Sequence, residues 1–182
     1  YSNSALTTAT FQTMANYLTK GYWSDNSLTE REWNLGNSGV NYKSGEISYS
    51  LGNNSLDNDG LYGGISSIYK ESFKLYEATL GINFIESTSY LPFADIDIVD
   101  YDDGAYASSK EISNGKIGWG AINISKTWVS DYGTDMGSYL WLTVHHEIGH
   151  LLGLGHLGNY NNSATYPSDA KFANDSWQVS MM

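Results

Sequence analysis

One run constrains this chain more than any other: His146-Glu147-Ile148-Gly149-His150-Leu151-Leu152-Gly153-Leu154-Gly155-His156. A helix carries residues i and i+4 to one face, so a helical run puts His146 and His150 on the same side. Glu147 follows the first histidine by one position and projects beside that face. Gly153 supplies the backbone freedom that ends a helix, and the turn returns His156 toward the other two. Three protein ligands and an open fourth position mark a catalytic zinc, whereas a structural zinc is closed by four. The spacing H-E-x-x-H-x-x-G-x-x-H therefore points to one zinc ion held by His146, His150 and His156. Glu147 is then the general base acting on water.

The flanking pattern predicts the helix that this reading needs. Met136, Tyr139, Leu140 and Thr143 recur at three- and four-residue spacing, with Asp135 as the N-cap and an end near Leu152. Three of the four histidines in the chain fall at ligand positions. The fourth, His145, lies about 100° around the helix from His146. It cannot share the metal, and a place at the surface or behind the ligands is expected.

The run resembles the metzincin metallopeptidases, and within them the serralysin family of secreted bacterial zinc proteases. The likeness continues past the third histidine. His156-Leu157-Gly158-Asn159-Tyr160-Asn161 is similar to that family's H-P-G-x-Y-N, with Leu157 in the place of proline. Ser180-Met181-Met182 is similar to S-x-M, which makes Met182 the methionine of an apolar floor beneath the metal. The resemblance implies a zincin-like α+β fold. Its sheet is twisted and mostly parallel with one antiparallel edge strand, above an active-site helix and a short irregular lower lobe. It implies one catalytic domain over 1–182, with an upper lobe at 1–152 and a partial lower lobe at 153–182 ending at the methionine turn. It also makes Gly104-Ala105-Tyr106-Ala107 the edge strand on which a substrate backbone would pair, so Ala105, Ala107 and Asn161 are expected substrate contacts. Ordinary strand filler is the competing reading of the two alanines. The Ser-Tyr that follows the methionine in the family is absent, and no G-G-x-G-x-D repeat of its calcium-binding β-roll occurs. A truncated or nicked domain, or a short relative, is the expectation, with a C-terminal fragment or a proteinaceous inhibitor among its partners.

Composition bounds the rest. The chain has 182 residues, 41% apolar, enough for one domain with a core. Twenty acidic against nine basic residues give a net charge of −11, which argues against nucleic acid and anionic membranes as partners. No run of apolar residues is long enough to span a bilayer. The absence of cysteine excludes disulfides and a thiol nucleophile. Tyr1-Ser2-Asn3-Ser4 is not an intact signal peptide, and a processed start is expected. Oxygen-rich stretches at Asn53 to Gly60 and Asp100 to Gly104 are candidate calcium loops. A secreted, monomeric zinc endopeptidase acting on proteins or peptides is the expected function. The alternatives are a catalytically weakened zinc-binding module, and a protease whose third ligand is a distant glutamate, which a local His156 disfavours.

Periodicity predicts the remaining elements. A helix is expected over 8–20 with Gly21 as its stop, then a mostly irregular stretch over 22–44, a strand over 46–51 and a helix over 61–80 capped by Gly81. Strands are expected at 82–86, 95–100, 105–108 and 117–124. The tail from Gly153 reads as irregular. Trp119, Trp128 and Trp141 are expected in the core or the cleft wall.

Overall fold

A computed structural model describes residues 6–33, 35, 45–52, 61–87, 94–160, 164–176 and 178–182. Among these, six strands form one sheet: β1 (Glu32–Trp33), β2 (Glu46–Leu51), β3 (Asn83–Glu86), β4 (Ile96–Val99), β5 (Ala105–Ser113) and β6 (Lys116–Ile124). The hydrogen-bonded order is β1-β6-β4-β2-β3, all parallel, and β5 joins β6 antiparallel. The arrangement is α+β with a mostly parallel sheet and one antiparallel outer strand, as expected. Parallel neighbours need a crossover between them, and the chain supplies helix α3 (Ile65–Leu80) between β2 and β3. β5 and β6 face each other across the tight turn at Asn114 and Gly115, both at positive φ. β5 reaches Ser113, five residues beyond its expected end, because register shifts around Glu111 let it stay paired with β6.

The core forms where α3 and α5 (Tyr139–Leu151) cover the sheet. Ile65, Ile68, Tyr69 and Phe73 from α3 meet Leu140, Val144, Ile148 and Leu151 from α5 and the inward isoleucines of β2, β4 and β6. Each buried side chain of this size contributes roughly 1.5–3 kcal/mol of hydrophobic stabilisation. Gly120 in β6 lets α5 approach closely, since a Cβ there would lie 2.6 Å from a Leu151 methyl. α3 begins at Ile65, after Gly64 in the left-handed region, and not at Leu61; Gly81 caps its end as expected. Leu80, the last residue of α3, is 48% exposed.

Three further differences from the expected elements have local causes. A short helix α4 (Lys126–Tyr132) was not anticipated, its seven residues being too few for a periodic signal. The N-terminal helix does not stop at Gly21. It runs as α1 (Phe11–Asn16), a π turn (Tyr17–Gly21) and α2 (Tyr22–Asp25), and Gly21 is helical. Glycine is required at that position because a Cβ would stand 2.4 Å from the Tyr17 ring. Phe11 is 78% exposed, while Met14 of α1 is buried with Leu157 and Phe172 in a second, smaller cluster, and α2 buries Tyr22 and Trp23. Finally, α5 starts at Tyr139 with Ser138 as its N-cap, the Ser138 hydroxyl accepting the Trp141 N–H at 3.1 Å. Asp135 is not the cap, and Met136 lies outside the helix and is 77% exposed.

Candidate functional site

α5 places His146, Glu147 and His150 on its cleft-facing side. Its end is set by Gly153, whose φ is 98°. A side chain there would be strained by that angle and would also strike the Arg31 carbonyl, 2.2 Å from an added Cβ. The reversal brings His156 back to the helix. The Nε2 atoms of His150 and His156 lie 2.9 and 3.3 Å from the Nε2 of His146. Among the described residues these three form the group whose ligand atoms all fall within 4.8 Å of one another.

Hydrogen bonds at the opposite ring nitrogens decide what those Nε2 atoms can do. The Nδ1 of His146 donates to the Met181 carbonyl, and that of His150 to the Leu154 carbonyl at 2.9 Å. Both rings are therefore in the tautomer that leaves Nε2 as a lone pair. Burial lowers the pKa of all three histidines. His150 is pushed down to about 3 and His156 to about 4, with the neighbouring imidazoles adding to the effect of burial. Three neutral rings thus turn Nε2 atoms toward one point, two of them as lone pairs, a repulsive arrangement that a cation between them relieves. Tetrahedral zinc with nitrogens at about 2.0–2.1 Å needs the nitrogens roughly 3.3 Å from each other, so the cradle fits that ion.

Glu147 is buried at the same cleft, 6% exposed. Burial pushes its carboxyl up to about 7, opposed by a hydrogen bond from the Ala107 backbone. Ala107 thereby has a contact that its side chain did not suggest: its main chain orients the glutamate. Ala105 lines the cleft at the start of β5. Asn161 lies outside the described residues, as do the Asn53 to Gly60 loop and Trp177. Met182 is buried directly beneath the helix. A Cβ on Gly149 would meet its sulfur at 2.6 Å, so the glycine makes room for the methionine.

The cleft has a volume of about 550 Å³ and is lined by Trp128, Tyr139, Leu142, Met181, Tyr160 and Asp175. Trp128, Tyr132 and Tyr139 pack ring against ring at one end. The Tyr160 hydroxyl donates to Asp175, whose carboxyl is raised by burial. Trp128 lines the cleft, within its expected place in the core or the cleft wall; sequence reasoning missed Leu142, Asp175 and the tyrosines of this rim, since no spacing rule links α4 to the tail.

His145 is not at the surface. It is 4% exposed, with Nδ1 2.9 Å from the Trp141 carbonyl and 3.3 Å from the Ser72 hydroxyl, and it faces α3, away from the metal cradle. Trp141 stacks on it at 3.9 Å, while Trp119 donates to the buried Asp97 at 3.2 Å. The carboxylates of the Asp100 to Gly104 loop do not converge on one point. Asp100 accepts the Tyr62 N–H and faces Lys126, and Asp102 accepts the Tyr106 hydroxyl.

A family model described as Peptidase_M10, Matrixin, matches residues 41–180. A curated relative, the serralysin of Proteus mirabilis, is 42% identical over 65 residues, which is 31% of this chain and 13% of that protein. The chain thus spans about an eighth of that relative's length. A chain of the solved structure described as the GM1-bound form of the ECX AB5 holotoxin aligns with a TM-score of 0.40 at 17% identity. That alignment covers 78% of this chain and 64% of the other, a likeness too distant to inform the function.

Proposed function

This chain belongs to the matrixin family, zinc-dependent endopeptidases of the metzincin type, and from that premise we propose a specific assignment of its site. His146, His150 and His156 hold the catalytic zinc through Nε2, and Glu147 is the general base and then the general acid. The observation that carries this is the convergence of three imidazole nitrogens beside a buried glutamate at the cleft.

When bound, the metal supplies Lewis acidity, lowering the pKa of water and polarising the scissile carbonyl. The protein's own groups supply the rest. Glu147, held by the Ala107 main chain, takes a proton from the attacking water and returns it to the departing amine. The outer strand β5 offers main-chain hydrogen bonds to an extended peptide, a sequence-independent way to hold substrate in register. Ala105 and Ala107 keep that edge uncluttered, and Asn161 is the third proposed contact. Met182 packs under Gly149 and fixes the floor of the helix.

In the same reading the chain is one catalytic domain, with residues 1–152 as the upper lobe and 153–182 as part of the lower. The partial likeness to a bacterial serralysin supports a secreted bacterial protease of that kind, acting on protein or peptide substrates.

The test is elemental analysis of the purified chain for zinc, paired with casein hydrolysis before and after chelation. One zinc per chain with chelator-sensitive cleavage is expected. A chain that holds no zinc sinks the ligand assignment, and zinc without chelator-sensitive cleavage sinks the endopeptidase reading of this chain.

A further inference from the structure

We infer that the N-terminal helical segment is a positioning device for the third metal ligand, with Tyr22 and Trp23 as its positioning residues. The inference rests on the zinc assignment above. Its starting point is an asymmetry within the cradle. His146 and His150 sit on α5 and each donates Nδ1–H to a carbonyl. His156 lies beyond the helix, and its Nδ1 is buried with no hydrogen-bond partner among the described residues. A ligand with neither a helix nor an Nδ1 hydrogen bond to orient it must be held by something else.

The contacts around the turn show what holds it. The Gly155 N–H, one residue before the ligand, donates to the Leu18 carbonyl at 2.8 Å. The Trp23 indole N–H donates to the Gly153 carbonyl at 3.0 Å, in a buried position. The Tyr22 ring lies on the main chain of Gly155, so closely that a Cβ there would stand 2.1 Å from it. The same ring meets the His156 imidazole edge-on, with centroids 5.6 Å apart. Leu18 belongs to the π turn, where the regular helical ladder is interrupted, and Tyr22 and Trp23 follow it directly. Interruptions of this kind concentrate at functional sites. Main chain is therefore pinned at Gly153 and Gly155 from a segment 130 or more residues earlier in the chain, and the ring of the ligand itself rests against Tyr22.

The experiment measures the zinc dissociation constant of the whole chain by competition with a chromophoric chelator, alongside the metal-free melting temperature. Trp23→Phe deletes one donor and keeps an aromatic ring; Tyr22→Leu removes the ring that faces His156; Tyr22→Phe keeps it. We expect Trp23→Phe and Tyr22→Leu each to raise the dissociation constant about tenfold or more, the range for residues that orient a ligand. Tyr22→Phe should retain the parent affinity. In a His156→Ala background neither change should weaken zinc further, because the ligand being positioned is gone.

An unchanged dissociation constant in both Trp23→Phe and Tyr22→Leu, even with a lowered melting temperature, would overturn the proposal. So would an equal loss of affinity in the His156→Ala background, the mark of general loosening. Trp23→Phe changes few atoms, so it decides the matter if Tyr22→Leu does not fold. A parent chain that binds no zinc would instead refute the metal assignment on which the proposal stands.

Discussion

At the scale of single residues, the proposed assignment divides labour between groups that hold a cation and one that moves protons. Glu147→Gln keeps the shape of the side chain and removes its basicity. Zinc content should stay at one per chain while peptide hydrolysis falls at least about a hundredfold; retained turnover would show that some other group is the base. His156→Ala should weaken zinc markedly, since it leaves two ligands of three, and an unchanged zinc content by elemental analysis would remove His156 from the ligand set. The proposed site was legible in the sequence because helical geometry converts the spacing of His146, Glu147 and His150 into one side of α5, and Gly153 marks the turn that returns His156. What was not legible is how each is oriented. The carbonyls of Met181 and Leu154 select the ring tautomers of His146 and His150, and the Ala107 backbone aims Glu147. Main-chain partners have no residue signature, so no motif announces them. His145 shows the converse: position on the helix excluded it from the metal, yet only packing against Ser72 and Trp141 showed it to be buried.

At the scale of elements, the active-site helix is bounded by two features of different strength. Ser138 satisfies an orphan N–H at its start. Ser138→Ala should therefore cost about 1 kcal/mol in chemical denaturation, with zinc affinity little changed; no loss of stability would mean that the cap is redundant. Gly153 at its end is less replaceable. Gly153→Ala combines a strained positive φ with a backbone oxygen 2.2 Å from the new methyl. We expect it to cost more than the cap does, and to lower zinc affinity as well, because the turn it distorts carries His156. A variant with parent stability and parent zinc affinity would contradict this account of the turn. Periodicity located α3, α5 and the inner strands to within a few residues, since each buries a stripe against the same core. It misplaced the N-cap of α5, overlooked α4 and stopped the N-terminal helix early. In each case a neighbour distant in sequence, or a very short element, outweighed the local signal.

At the scale of the whole molecule, burying three neutral imidazoles makes the metal-free fold sensitive to acid. Unfolded, these histidines titrate near 6.5; folded, His150 and His156 resist protonation down to about 3 and about 4, and His146 is also lowered. Over that interval the unfolded chain binds more protons, so stability falls as pH drops from about 6.5 toward 4. Glu147 acts in the opposite sense between 4.5 and about 7, where the folded state holds its proton longer, and so does Asp175, also raised by burial; against these two stand four lowered imidazoles, His145 included. Melting of the metal-free chain across pH 4 to 8 should show this decline, and a flat profile would contradict it. Added zinc at a hundredfold excess over its dissociation constant should raise stability near pH 7 by about 2.7 kcal/mol. By itself, the sequence determined the H-E-x-x-H-x-x-G-x-x-H run from which the ligands and the base are proposed, the helix that carries most of it and the mixed α+β class. All of these follow from spacing along one helix and the turn after it or from the alternation of apolar residues, which are local rules. Only the tertiary structure decided that a segment near residue 20 supports the turn before His156, that Met182 fills the space beside Gly149, which has no side chain, and that α4 and the tail line one cleft. Those contacts join residues more than thirty positions apart, and a chain reveals such pairs only when packing has closed the loops between them.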